Sequence, residues 1–409
     1  MILTSLEDVY PGMVLGVGLR NKEGHTLLGP GVTLTPEYIS RLTEIGYAAV
    51  WVDDEDTRDI PYEDSLSENT RVNTTRAIED TFNMTSREVE SLRAVSTKEI
   101  KGALENKQFQ DAFRDHPIVD RMSSQVDALV GEVLDRAVLT GLGSMRTQNT
   151  YTFHHCVDTA VTATMLGRYL GYDRETLKKL AIGCILHDVG NTFVDNAVLN
   201  KTEGLNVTEL ARMRDHTVLG YLFLRDSLKV GVVPAHVAYQ HHERQDGTGY
   251  PRGLTGNNKI GHGPDVNVPG RISPLGEVAA IADYHDACAS DRPHRGRMAP
   301  DEVWQTIRSA AGSHLNKEIV DLFLSLTPPY PMGTQIMVTD GRWRGYSGVV
   351  VSARRETLDR PLVRLLYDET GERVEASDID LRKDPSKIKG ITRQRMSDAK
   401  AQELEAVKS

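Results

Sequence analysis

The segment LKKLAIGCILHD (177–188) constrains this chain more than any other. Its second half is apolar almost all round, and it ends on a histidine and an aspartate. A helix that is apolar on every side has to sit at the centre of a larger bundle. Its two ionisable residues then enter the interior with it, where an uncompensated charge is costly. They need a partner there.

The surrounding chain reads as such a bundle. From about 70 to 326, segments such as TRAIEDTFNM, VDALVGEVLDRAVL and CVDTAVTATMLGRYL carry apolar residues at three- and four-residue spacing. Gly/Asp-rich stretches near 190–206 and 244–270 interrupt the pattern, and the second is long enough to hold a loop over a site. Residues 1–54 read as a small α+β unit. MVLGVGL and HTLLGPGV are predicted strands joined by the turn NKEG. Thr35 caps a helix with Pro36 at its first position and Gly46 at its end, and AAVWV is a third strand. The acidic stretch 55–69 is a linker candidate. After Thr327, Pro328 and Pro329 the pattern turns to β-branched alternation separated by DGRWRG, ETLDRP and DETG. This predicts a small all-β, barrel-like module over 329–383 and a frayed polar tail over 384–409. The expected fold is mainly α: a helical domain over 70–328 flanked by these two small units.

A net charge of -10 disfavours broad binding to a nucleic acid polymer. No apolar run reaches the ~20 residues of a membrane span, and the first residues lack the basic and apolar regions of a signal peptide. A cytoplasmic protein without membrane insertion is expected. Cys156, Cys184 and Cys288 are widely spaced and form no disulfide framework or CxxC pair.

The histidines carry the chemistry. His154-His155, His187-Asp188, His216 and His241-His242 are distributed along the helical region, with Asp283 ending the apolar stretch VAAIAD. Imidazole and carboxylate together suit iron, manganese or zinc. Neighbouring residues on a helix point ~100° apart, so such doublets serve two adjacent metals better than one. Paired metals are the standard device for phosphoester hydrolysis.

HDVGN (187–191) followed by HHERQDGTGYP (241–251) resembles the HD-GYP family. This is a helical branch of the HD-domain metal-dependent phosphohydrolases, whose characterised members hydrolyse cyclic di-GMP to linear pGpG or GMP. YTFHHCV, VLNK, MRDHTVLG and IADYHDACASDRPHR fall in the family's order around those motifs. The resemblance implies metal ligands at His155, His187, Asp188, His216, His241, His242 and Asp283, with His187 and Asp188 catalytic and Asp188 bridging. His155 is favoured over His154 because the family places its histidine four residues after the position of Tyr151. Some relatives have a Glu there that helps hold a third metal, so two divalent ions are implied here. Iron or manganese come first, with zinc, nickel, magnesium or cobalt also compatible. A hydroxide activated by the metals would attack phosphorus in line.

On the substrate side the resemblance points to Gly249, Tyr250 and Pro251, with Tyr250 stacking on guanine or lining the pocket. It also points to Arg292 and Arg295 at phosphate, and to Asn191 and Lys201. The implied partner is cyclic di-GMP; a homodimer or docking to other signalling domains is compatible. The chain departs from the family at Asn191, which replaces a Lys, at Glu277, which replaces an Arg, at His294, which replaces a Tyr, and in a longer segment 256–273. The Asn191 change leaves an alternative open: an attenuated protein that senses cyclic di-GMP or docks onto partners. Glu243 and Arg244 read as an ion pair steadying the loop, and Cys156 and Cys184 as small buried hydrophobes.

Overall fold

The structure is a computed structural model. It describes residues 1–20, 26–47, 49–61, 64–114, 116–135, 151–201, 203–261, 268–290, 297–354 and 357–392, apart from the side chains of Arg114 and Tyr151. The NKEG turn, Arg292, His294 and Arg295 lie outside them.

The first unit contains β1 (Ile2–Ser5), β2 (Val14–Leu15), β3 (Leu19–Arg20), β4 (Thr26–Leu28), α1 (Pro36–Ile45) and β5 (Ala49–Asp53). An antiparallel sheet of order β1-β5-β2 pairs Ile2 with Val52 and Ser5 with Ala49, and β3 and β4 form a separate pair. The predicted strand MVLGVGL is split into β2 and β3 at Gly16 and Gly18. A Cβ on Gly16 would lie 3.1 Å from the Met1 sulfur, and one on Gly18 would lie 3.3 Å from Pro30. The chain therefore passes close against its neighbours at both glycines, where a larger side chain would be crowded. The helix α1 follows its local signals: Thr35 Oγ1 accepts from the Tyr38 N–H at 3.2 Å, and Gly46 ends it at φ 90°.

The helical region comprises α2 (Glu68–Glu88), α3 (Thr97–Glu105), α4 (Lys107–Arg114), α5 (Ile118–Asp135), α6 (Tyr151–Tyr169), α7 (Arg174–Leu186), α8 (Asn196–Leu199), α9 (Val207–Arg214), α10 (His216–Leu222), α11 (Val232–Gln240), α12 (Pro274–Ala289), α13 (Pro300–Ala310) and α14 (Lys317–Leu326). One continuous core runs through it. Val157, Val161, Leu180, Cys184, Val237 and Ile281 are all fully buried within that core. The segment around 177–188 is α7, capped by Asp173, whose carboxylate accepts from the Thr176 N–H at 2.8 Å. It lies against α5, α6 and α11. Gly183 allows the last of these contacts, since a Cβ there would fall 2.6 Å from the Val237 side chain.

The turn after α7, Val189–Phe193, packs backbone to backbone on α10. A Cβ on Gly190 would lie 1.9 Å from the His216 carbonyl oxygen. Backbone cannot yield as a side chain can. Gly190→Ala is expected to destabilise the protein by about 1–3 kcal/mol and to separate His187-Asp188 from His216. Thermal unfolding and metal content check this together; unchanged values of both would count against it.

The last unit is a five-stranded antiparallel sheet of order β10-β6-β7-β8-β9. Its strands are β6 (Gln335–Val338), β7 (Ser347–Ser352), β8 (Leu362–Tyr367), β9 (Arg373–Asp380) and β10 (Ile388–Gly390). The last of these falls in the stretch read from sequence as frayed tail. Three residues with one apolar side chain give no strand pattern, yet pairing with β6 satisfies their backbone, and the Gly390 N–H donates to Asp301 of α13 at 3.1 Å.

The two small units also join one another. Ile2 and Ile60 share a buried cluster with Val349 and Leu366. Arg364 bridges to Asp59 at 2.7 Å and Arg373 to Asp54 at 2.7 Å. The stretch 55–69 is therefore pinned from both sides.

Candidate metal centre

Five helices deliver the candidate ligands to one place. His155 lies on α6, His187 caps the end of α7, and Asp188 begins the turn after it. His216 opens α10, His241 and His242 follow α11, and Asp283 lies on α12. Three overlapping trios have their ligand atoms within 4.8 Å of one another: His155 with His187 and Asp283, His187 with Asp188 and His241, and His216 with His241 and His242. The Asp188 carboxylate spans between them, one oxygen 3.5 Å from His187 Nε2 and the other 3.6 Å from His216 Nε2. Asp283 lies 3.2 Å from His155 Nε2 and 4.0 Å from His187 Nε2.

The opposite ring nitrogens explain why these rings face inwards. His187 Nδ1 is 2.6 Å from the Cys184 carbonyl, His216 Nδ1 is 2.7 Å from that of Met213, and His241 Nδ1 is 2.9 Å from that of Ala238. A carbonyl only accepts, so each Nδ1 carries the hydrogen and each neutral ring presents a bare Nε2. His155 uses a carboxylate instead: its Nδ1 donates to Asp286 at 2.7 Å. Such anchoring of the distal nitrogen is what holds metal-binding histidines in place. It also creates a conflict that a cation resolves. His216 Nε2 and His241 Nε2 face each other at 3.4 Å, two lone pairs with no hydrogen between them in the neutral state. That is a spacing two nitrogens on one ion can adopt, and a mixed nitrogen and carboxylate set suits a divalent first-row metal.

The protonation of the metal-free site follows from burial and neighbours. Burial, then the nearby His216, brings the His242 pKa down to about 4. Burial, then His242 and His187, puts His241 well below its ordinary value. Burial alone would also depress His155, but its hydrogen bonds to Asp283 and Asp286 outweigh this and hold it well above. Burial opposes ionisation of Asp188 and Asp283 too, yet the imidazoles around them keep both below the usual carboxylate range.

The signs predict a stability profile. As pH falls from 6.5 towards 4, the unfolded chain takes up protons that His242 and His241 refuse, so metal-free stability drops. The contribution of His155 is fully present below 6.5 and is lost as pH rises through its raised pKa. Chelated protein should therefore be most stable near pH 6.5. Urea midpoints between about pH 5 and about pH 8 check this, and a monotonic rise across that window would contradict it.

The loop after α11 is built by polar groups. Glu243 accepts from the backbone N–H groups of Arg252 and Leu254, both at 2.8 Å, while Arg244 pairs with Asp246 at 3.2 Å. The expected Glu243–Arg244 pair is absent because the loop's own amides claim the carboxylate. Gly249 is required by the close packing: a Cβ there would lie 2.5 Å from the Arg244 nitrogen. Tyr250 follows, its N–H donating to the His242 carbonyl at 3.2 Å and its ring 4.8 Å from the His242 ring. It joins Pro251 through a cis peptide bond. Gln245 and Asn316 both donate to the buried Glu277, at 2.8 and 3.0 Å, tying this loop to α12 and to the cap of α14.

Two further substrate candidates have definite surroundings. Lys201 is held by Glu209 at 2.7 Å. Asn191 lies in the turn after Asp188, its side-chain oxygen buried and without a hydrogen-bond partner among the described residues. Arg292 and Arg295 fall outside the described residues. Cys156 and Cys184 are fully buried thiols. Sequence reasoning missed Asp286. Its signal was the spacing Asp283-Tyr284-His285-Asp286, which puts two carboxylates on one face of α12.

The HD domain family matches residues 137–319. A cyclic di-GMP phosphodiesterase of Pseudomonas aeruginosa is 27% identical over 331 residues, covering 80% of this chain and 76% of that protein. One of Thermotoga maritima is 30% identical over 196 residues, 48% of this chain and 49% of the relative. A 3'3'-cGAMP-specific phosphodiesterase of Vibrio cholerae is 29% identical over 202 residues, 49% of this chain and 43% of the relative. The chain thus matches about half or less of the length of the last two. A solved HDG"Y"P protein of Bdellovibrio bacteriovorus overlays at a TM-score of 0.41 with 15% identity, over 79% of this chain and 98% of that one. No helix among the described residues is long and apolar enough to cross a membrane. All five helices that carry the candidate ligands and the Gly249-Tyr250-Pro251 loop fall inside the segment that matches the HD domain family, and that segment is an HD domain of the HD-GYP type.

Proposed function

We propose that this chain is a metal-dependent phosphodiesterase that opens a cyclic dinucleotide, cyclic di-GMP foremost, to pGpG or GMP in the cytoplasm. The carrying observation is the inward-facing set of Nε2 atoms whose distal nitrogens are already bonded. In this reading His155, His187 and Asp283 hold one ion, His216, His241 and His242 hold a second, and Asp188 lies between them. Iron or manganese suits this mixture of donors. When bound, such ions supply Lewis-acid charge to phosphoryl oxygens and lower the pKa of water.

The chain's own residues do the rest. The three carbonyls and Asp286 keep the imidazoles aimed, so no reorientation is needed as the reaction proceeds. His155 gives up its Nε2 proton when a metal is taken up there. The Gly249-Tyr250-Pro251 loop covers the His216 and His242 side, with Tyr250 placed to meet a base or wall the pocket. The named relatives act on cyclic di-GMP or on 3'3'-cGAMP, and that supports the substrate class.

Protein purified without chelator is expected to carry close to two equivalents of metal and to turn over cyclic di-GMP faster than 3'3'-cGAMP. Metal-loaded protein that hydrolyses no cyclic dinucleotide with either iron or manganese overturns the proposal. A second reading rests on Asn191, which puts a neutral amide with an unmatched buried oxygen beside Asp188. If this residue attenuates the enzyme, Asn191→Lys raises turnover strongly; an unchanged rate removes that reading.

A further inference from the structure

The site described so far gathers imidazoles and carboxylates in a chain of net charge -10, yet its substrate carries two phosphates. Attraction and orientation of such a dianion require cations at the mouth. Several nearby cations are already engaged. Lys201 is bound by Glu209 and Arg244 by Asp246. Arg212 donates to Thr97 Oγ1 at 2.8 Å and to the Val95 carbonyl at 3.1 Å.

Arg214 differs. It ends α9, two residues before the ligand His216, and is exposed. Among the described residues no carboxylate accepts from its guanidinium. What holds it is an aromatic face: the guanidinium carbon lies 4.9 Å from the centre of the Tyr250 ring. That ring is itself fixed, 4.8 Å from the His242 ring and 6.4 Å from the His216 ring. A guanidinium laid on an aromatic ring spends its face and keeps its N–H edge. The edge is the part that forks onto a phosphate. Arg214 is thus oriented, charged and uncommitted, one ring away from two candidate metal ligands.

We propose that Arg214, seated on Tyr250, receives the second, non-reacting phosphate of the substrate and thereby selects a cyclic dinucleotide over a simple phosphodiester. This rests on the phosphodiesterase reading above. It assigns Tyr250 a second task, that of a platform for the arginine, and it gives a chain with the neutral Asn191 after Asp188 a cation for a doubly charged ligand. The reacting phosphate goes to the metal centre; the arginine never touches the bond that breaks, so its effect belongs mainly in KM.

The test uses the full chain loaded with manganese, with cyclic di-GMP and bis(p-nitrophenyl) phosphate, which has one phosphate, as the two substrates. Arg214→Ala is expected to lower kcat/KM for cyclic di-GMP by about 10- to 100-fold, the range for a charged hydrogen bond, chiefly through KM. The loss on the single-phosphate ester should be at least about fivefold smaller, the discrimination expected when a charged contact is missing. Arg214→Lys, which keeps the charge but not the fork, should fall between. Added salt should raise KM for the dinucleotide less steeply in Arg214→Ala than in the parent protein. A smaller difference between the two substrates, including equal losses on both, overturns the inference while leaving the function standing. A parent protein that cleaves the simple ester but no cyclic dinucleotide overturns the function itself, and this inference with it.

Discussion

Replacing Asp188 by alanine is expected to abolish turnover and to strip metal from the protein, the largest effect of any single change on activity. The carboxylate faces both halves of the ligand cluster, with oxygens 3.5 and 3.6 Å from His187 and His216. Losing a partner that merely orients a ligand costs about 10–100-fold in metal affinity or activity. Losing the ligand between two ions should exceed that range. Asp188→Asn keeps the shape and one acceptor oxygen but not the charge, and should behave nearly as badly. Elemental analysis and single-turnover rates measure both effects. Chelated variants should still unfold cooperatively, which separates a lost ligand from a lost fold. Two equivalents of metal retained with turnover within tenfold of the parent would remove Asp188 from the centre.

The largest effect on stability is expected at Arg71, far from the chemistry in sequence. Its side chain is buried on α2 and bridges Asp158 at 2.7 Å and Asp64 at 2.6 Å. Asp158 is on α6, three residues beyond His155, and its side chain is 1% exposed. Burial opposes the charge on Arg71, but the two carboxylates outweigh this and raise its pKa. Arg71→Met takes the guanidinium away from both. Breaking a buried pair from one side costs about 3–5 kcal/mol, because the remaining charge keeps its desolvation penalty. Urea unfolding of chelated protein should report a loss of that size, and metal affinity should fall as α6 shifts. Replacing Arg71, Asp64 and Asp158 together by apolar residues should recover much of the loss. A loss below about 1 kcal/mol, the range of exposed pairs, would show that the bridge matters little.

Much of the local structure could be read from the chain. Thr35 and Gly46 bound α1 as their capping chemistry requires, since the bonds they make reach three or four residues away. The all-round apolar run before His187 could only be interior, and Leu180, Ala181, Gly183, Cys184, Ile185 and Leu186 of α7 are buried. The identity of the candidate ligands also followed from residue type and motif order. Their side chains could not be assigned to trios in this way, because which histidine faces which depends on how helices cross.

The same limit explains each miss. Glu243 looked like a partner for its neighbour Arg244, but an adjacent pair in sequence competes with amides brought near by the turn, and those amides won. The strand β10 has almost no pattern of its own; β6 makes it a strand by supplying hydrogen-bond partners. Asp286 carried only a three-residue spacing, and its role emerged when α6 brought His155 against it. The seat of Arg214 on Tyr250 joins the end of α9 to the loop after α11 and leaves no trace in either sequence.

The sequence alone therefore determined the helical periods, the caps and the stock of candidate metal-binding side chains, because these depend on residue type and on neighbours within a turn or two. Only the tertiary structure decided which imidazoles face one another, which carboxylate stands between the trios, and that the first and last units meet through Arg364 and Arg373. Those outcomes depend on contacts between residues dozens to hundreds of positions apart, formed by packing that no spacing rule along the chain encodes.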